Sequence, residues 1–260
     1  MTIGACIPIG AASTNEHPRG VPFRSYAEMG EALAGLVRTK RYTKGVVWMP
    51  VGREPPYSRD GTGGGLCFDG IFSIVDDGCD WMRSTDHFAE CFANVRLSGL
   101  REMWLYPGCL YAGRPGYVTM SDQAWRLFVA RAKAMIKLAQ ESHFTGIVID
   151  ASGDAGAFSR EYELARIIRD SGLRVGHEGW AHDTAPHWKD EKTHHGFTLP
   201  HWWSSRAIYG RKPVGGRSVL RLEGSREARL AMAREILAEG DGVFDDIWNG
   251  LTPADLEAAA

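Results

Sequence analysis

Cysteine is scarce in this chain and follows no pattern. The five residues, Cys6, Cys67, Cys79, Cys91 and Cys109, are an odd number, and none stands in a CxxC pair. That argues against a zinc ribbon or a dense disulfide framework. It predicts reduced, structural thiols, with a Cys67–Cys79 bridge as the alternative. No apolar run reaches the roughly 20 residues of a membrane-spanning helix. The opening MTIGACIPIGAAS is apolar, but it has no basic n-region and Pro8 interrupts it, so it reads as a first strand rather than a signal peptide. An excess of one charge is also missing. Thirty Lys and Arg stand against 32 Asp and Glu, a formal charge of −2, which leaves no basic field for nucleic acid or anionic lipid. The expectation is a soluble protein with neither nucleic acid nor membrane as partner, in the cytoplasm rather than secreted, with incorporation into a virion left open.

Familiar catalytic signatures are absent as well. Gly61-Thr62-Gly63-Gly64-Gly65 lacks the Lys-Ser/Thr and the following helix of a phosphate loop. There is no GxSxG elbow, and His177 and His182 are five apart, so they do not form HExxH. No cofactor and no metal site are predicted.

What the chain does have is alternation. Ser25-Tyr26-Ala27-Glu28 is a capping box opening a helix whose Met29, Leu33, Leu36 and Val37 form one apolar stripe. Short β-branched or apolar runs follow at 45–49, 102–106, 146–150, 173–178 and 218–223, with weaker ones at 199–209 and 242–244. Helical patterns lie between them at about 85–98, 121–143, 159–172 and 225–240, and Thr252-Pro253 opens a last helix. Gly172 is placed as a positive-φ helix stop. Strand and helix alternating along 260 residues predict an α/β fold in one domain, 1–260, as a single (β/α)8 TIM-like barrel. Two departures are expected. A β-hairpin around Asp69-Gly70 is inserted after strand two, and irregular segments follow strands five and six. An open doubly wound sheet is the alternative.

The informative feature is what closes three of those strands. GIVID ends on Asp150, LRVGHE on Glu178 and SVLRLE on Glu223. Carboxylates at the C-terminal tips of parallel strands stand where barrel enzymes keep their chemistry, and a pair of acids across one cleft suits hydrolysis of a glycosidic bond. Side chains alternate along a strand, so Arg221 shares a face with Glu223 and is placed to orient an acid. The alternative is that the acids are structural ion pairs tying strand ends together.

Aromatic residues accompany them. Trp48, Trp104, Tyr106, Trp180, Trp202 and Trp203 lie on or just after predicted strands, suited to stacking beneath sugar rings, although tryptophan between sheet and helices serves equally as packing. Six of the nine histidines fall between His177 and His201. They suit a polar lid over the mouth, with His177 as a ligand contact. A metal site assembled from His177 or Glu178 with His182 and Asp183 is a third possibility.

With these acids at these tips, the chain resembles the TIM-barrel glycoside hydrolases. The resemblance implies an acid/base at the end of strand four, here Asp150, and a nucleophile at the end of strand seven, here Glu223. The chain departs from the common pattern in having Asp150-Ala151 where Asn-Glu stands, and it has no DxxDxDxE. The resulting expectation is a hydrolase acting on, or a module binding, a carbohydrate through Asp150, Glu178 and Glu223. The competing readings are a non-catalytic barrel assembled into a larger protein complex and a metal-dependent hydrolase using the histidine segment.

Overall fold

The computed structural model describes residues 3–8, 23–48, 87–106, 122–152, 158–179, 197–198, 218–220, 222, 224–238 and 242–258. Among these residues, eight strands lie in one parallel sheet: β1 (Ile3–Pro8), β2 (Lys44–Trp48), β3 (Glu102–Tyr106), β4 (Gly146–Ser152), β5 (Arg174–Gly179), β6 (Phe197–Thr198), β7 (Ser218–Leu220) and β8 (Gly242–Asp246). Their order is β6-β5-β4-β3-β2-β1-β8-β7. Every described neighbour in the sheet is thus a neighbour in sequence, apart from β1, which pairs with β8 as well as β2.

Among the described residues, six helices connect or follow the strands: α1 (Tyr26–Lys40), α2 (Phe88–Leu97), α3 (Asp122–Glu141), α4 (Phe158–Asp170), α5 (Arg226–Ala238) and α6 (Pro253–Ala258). Parallel strands require such crossovers, because a tight turn cannot return the chain in the same direction. The start of α1 is as the sequence predicts, with one difference. The Ser25 hydroxyl accepts from Glu28 N–H at 3.1 Å, but the Glu28 carboxylate takes the N–H of Arg24 at 2.8 Å, one residue upstream of the cap itself. At the end of α6's first turn, Asp255 Oδ2 accepts from the Thr252 N–H and hydroxyl at 2.6 and 2.8 Å, so Pro253 does stand at the first helical position. Gly172 has φ +89, as a helix stop requires.

Alternation along the strands separates two cores. Ile3, Ala5, Ile7, Val47, Met103, Leu105, Ile147, Val175 and Val243 face the helices and pack with Met29, Leu33, Val37, Phe92, Ile136 and Ile168. An aromatic run stitches this layer together, Tyr26 to Phe88 at 5.5 Å, Phe88 to Phe92 at 4.6 Å and Phe92 to Phe144 at 5.6 Å between ring centroids. The opposite face carries Cys6, Val46, Trp104, Tyr106, Val148 and Phe244, a second buried cluster with no residue of a described helix in it. A sheet face buried without a helix layer is characteristic of a sheet curved onto itself. The fold is therefore α/β of the TIM-barrel type.

Strand six falls at Phe197–Thr198, ahead of the expected 199–209, which lies outside the described residues. Its pairing with β5 places it, through Gly176↔Phe197 and His177↔Thr198. Two paired residues carry too weak a period-two pattern to be seen in a sequence. The predicted hairpin around Asp69-Gly70 and the segments 180–196 and 199–217 also lie outside the described residues.

Candidate functional site

The inner cluster is built by pairing bulk on one strand with its absence on the next. A Cβ added at Gly146 would meet Arg174 O at 2.3 Å and Trp104 Cζ3 at 2.6 Å. One added at Gly4 would meet the Phe244 ring at 2.5 Å. Trp104 and Phe244 therefore press against glycine backbone and fill the inner layer. Trp104 is 0% exposed and Tyr106 1%. This corrects the expectation that Trp104 contacts a ligand. With an indole sealed between Gly146 and the Arg174 guanidinium, whose Cζ stands 5.0 Å from the ring centroid, Trp104 packs the interior and offers no face to a sugar. Tyr106 is buried in the same cluster at the end of β3, and it too presents no open face.

Charge closes the N-terminal end of this cluster. Lys44, Glu102 and Arg174 open β2, β3 and β5. Glu102 stands 3.7 Å from the Lys44 ammonium and 3.5 Å from Arg174 Nη1. All three alternate onto the same face as Trp104. The arginine on this face thus has the acid partner that an inward charge demands. Beneath this lattice Trp104, Tyr106 and Phe244 are buried together, and the end of the sheet where barrel enzymes keep their chemistry is the opposite, C-terminal one.

At that end, Asp150 and Glu178 are backbone neighbours. β4 pairs with β5 through Val148↔Gly176 and Ile149↔His177, and each acid is the next residue along its strand. The register then shifts between Ile149 and Ser152, an irregularity that spans Asp150 and Ala151. Bulges concentrate beside functional sites because they re-aim a side chain. Trp48 closes β2 and pairs with both Pro8 and Tyr106, and His177 lies within β5. Glu223, Arg221, Trp180 and Trp202 lie outside the described residues, as do His182 and Asp183. Among the described residues, no three His, Cys, Asp or Glu gather as a metal ion would need.

Two acids were not read from the sequence. β8 runs on past Phe244 to Asp245 and Asp246. Asp246 lies two residues past Phe244, level with Cys6 of β1. Its Oδ1 accepts from Trp248 N–H at 2.9 Å, and the residue is half-buried. It is a further carboxylate at a strand's C-terminal end. Asp245 alternates to the other side and is 1% exposed. There it accepts from the N–H groups of Leu222 (3.3 Å), Asp246 (3.0 Å) and Leu251 (2.8 Å), with Arg229 Nη1 at 3.4 Å. Asp245 is a fastening, tying β8 to the segments after β7 and before α6. The signal was the second Asp of Val-Phe-Asp-Asp, which continues the alternation begun at Gly242.

Other titratable groups serve the frame. Burial lowers the Lys40 ammonium, opposed by Asp246 and Asp255, and its Nζ donates to the carbonyls of Ile247 and Trp248. The Cys91 thiol is pushed up to about 12, by burial first and then Glu90, so it stays protonated and inert. No helix among the described residues is long and apolar enough to cross a membrane.

No protein-family model matches the chain, and no curated protein matches it. Among solved structures it is similar to a "xylose isomerase-like TIM barrel/4-hydroxyphenylpyruvate dioxygenase fusion protein" (12% identity, TM-score 0.48). That match covers 94% of this chain but 38% of the fusion protein. It is also similar to a GH5_18 protein of Streptomyces cattleya in complex with Manb1-4GlcNAc (9% identity, TM-score 0.49, covering 94% of this chain and 70% of that one). A third is a sugar phosphate isomerase/epimerase of Parabacteroides distasonis ATCC 8503 (13% identity, TM-score 0.47, covering 99% and 93%). At such scores no function passes from these proteins to this one, and the fold rests on strand order and packing.

Proposed function

We propose that the chain is a single-domain, closed (β/α)8 barrel that hydrolyses a glycosidic bond at the C-terminal ends of its strands. Closure would join β6 to β7, the two ends of the observed order β6-β5-β4-β3-β2-β1-β8-β7. Asp150 or Glu178 acts as the proton donor to the leaving oxygen, and Glu223 as nucleophile or base. The observation that carries the reading is the register of β4 on β5. It sets Asp150 and Glu178 one step beyond the same residue pair, on strands about 4.8 Å apart. A general acid in this reaction must hold its proton near neutral pH, and the test of either acid in that role is its substitution. Trp48, Trp180, Trp202 and His177 flank the sugar, with Arg221 orienting an acid. A separation between the donor and Glu223 carboxyls of about 5 Å gives retention of configuration, and roughly 6.5–9.5 Å gives inversion.

The test is a panel of oligosaccharides and aryl glycosides assayed with the full chain and with Asp150→Asn, Glu178→Gln and Glu223→Gln. A donor or nucleophile substitution lowers kcat by about 10²–10⁴-fold while leaving Tm unchanged. Turnover unaffected in all three folded variants, or none by the parent on any glycoside, would overturn the assignment.

A further inference from the structure

A second surface lies on the outside of the fold, between α1 and α2. Gly30 lets these helices approach closely: a Cβ there would be 3.1 Å from Cys91 Cα. Beside this contact is a groove of about 500 Å³, lined on α1 by Glu31, Ala34 and Arg38 and on α2 by Leu97. Leu97 is 74% exposed, the one large hydrophobic side chain left in solvent among the described residues. Glu31 and Arg38 are both exposed, and among the described residues neither side chain has an ion-pair partner.

We propose that this groove is the contact face of a homodimer in which α1 packs antiparallel against α1 of a second copy. Charge complementarity points to that occupant. Glu31 and Arg38 are seven residues, about two turns, apart on one side of the helix. In an antiparallel pair centred between Ala34 and Gly35, each Glu31 faces the other copy's Arg38, so the surface is complementary to itself, as a two-fold interface must be. The residues at the centre are small. A Cβ on Gly35 would meet nothing within 4 Å, so the backbone there is open to a partner. Leu97, beside the groove, supplies the apolar contact that the charges enclose.

Sedimentation velocity of the full chain from about 1 to 100 µM reads the outcome. The parent is expected to be a dimer in which Glu31→Arg or Arg38→Glu alone weakens association by tenfold or more, since each reversal sets like charges together twice. The double variant, carrying both reversals, restores the dimer. Gly35→Leu blocks the approach while leaving Tm at or above that of the parent, because the space it enters is empty in the monomer. A parent monomeric across the range, or single reversals that leave the dimer intact, would overturn the proposal.

Discussion

The Arg174 guanidinium lies over the Trp104 indole, 5.0 Å from its centroid, and holds Glu102 at 3.5 Å. One side chain thus joins the buried aromatic layer to the charged N-terminal rim. Replacing Trp104 with Ala should cost about 3–5 kcal/mol, as for other buried aromatic side chains. Arg174→Met should cost roughly 1 kcal/mol, given its partial exposure. Urea titration of both single variants and the double tests the contact. Coupling of about 1 kcal/mol is expected, and strictly additive losses would mean the stack contributes nothing.

Gly146 and Gly4 should tolerate no side chain. Gly146→Ala drives a methyl group into Arg174 O and the Trp104 ring, and the carbonyl cannot move without breaking the β4–β5 ladder. A loss of about 1–3 kcal/mol is expected from such overpacking. Gly4→Ala meets the Phe244 ring first, at 2.5 Å, and Lys44 O at 3.2 Å, so combining it with Phe244→Leu should recover part of the loss. Thermal denaturation of the pair checks this.

Asp245→Ala strands the Leu222, Asp246 and Leu251 N–H groups and leaves Arg229 facing a void. A cost of about 3 kcal/mol follows from breaking a buried, hydrogen-bonded charge. Asp245→Asn should cost less, because it keeps one acceptor oxygen. If the two variants were equally stable, the hydrogen bonds to the carboxylate would not be the source.

Tyr42 should set the alkaline limit. Its hydroxyl donates to Leu251 O at 3.0 Å, and its pKa is raised by burial first and then by Asp245 and Asp246. A folded pKa above the unfolded value of about 10 gives stability that is fully present below pH 10 and lost as pH rises beyond it. Tyr42→Phe should flatten the fall in Tm between pH 10 and 11.

At the acid end, burial pulls the Asp255 carboxyl upward, but hydrogen bonds from Thr252 and the Arg226 guanidinium outweigh it and hold the group below its usual value. Its contribution is present above pH 4 and is lost as pH falls through the folded pKa. Asp255→Asn should lower Tm at pH 6 and leave it nearly unchanged at pH 2.5.

The sequence yielded α1 and its Ser25 cap, α6 with Pro253 at its start, and the strands from Gly45 to Trp48 and Glu102 to Tyr106. Each carries a strong local signal, whether a cap, a stripe or a β-branched run. It also placed Asp150 and Glu178 on adjacent strands. What it missed has non-local causes. Trp104 looked available for stacking because a sequence does not show that Gly146 and Arg174 close over it from two other strands. Asp245 and Asp246 were passed over because a strand ending in two acids looks like a turn. Only the pairing of Asp246 with Cys6 shows the ladder continuing.

Because β1 is paired on one side by β2 and on the other by β8, residues 3–8 and 242–246 share a seam although β2 to β7 all lie between them along the chain. During translation the opening segment must wait, one edge bare, until the closing one leaves the ribosome. Formation of that seam is expected to come late, because its two strands are so far apart along the chain.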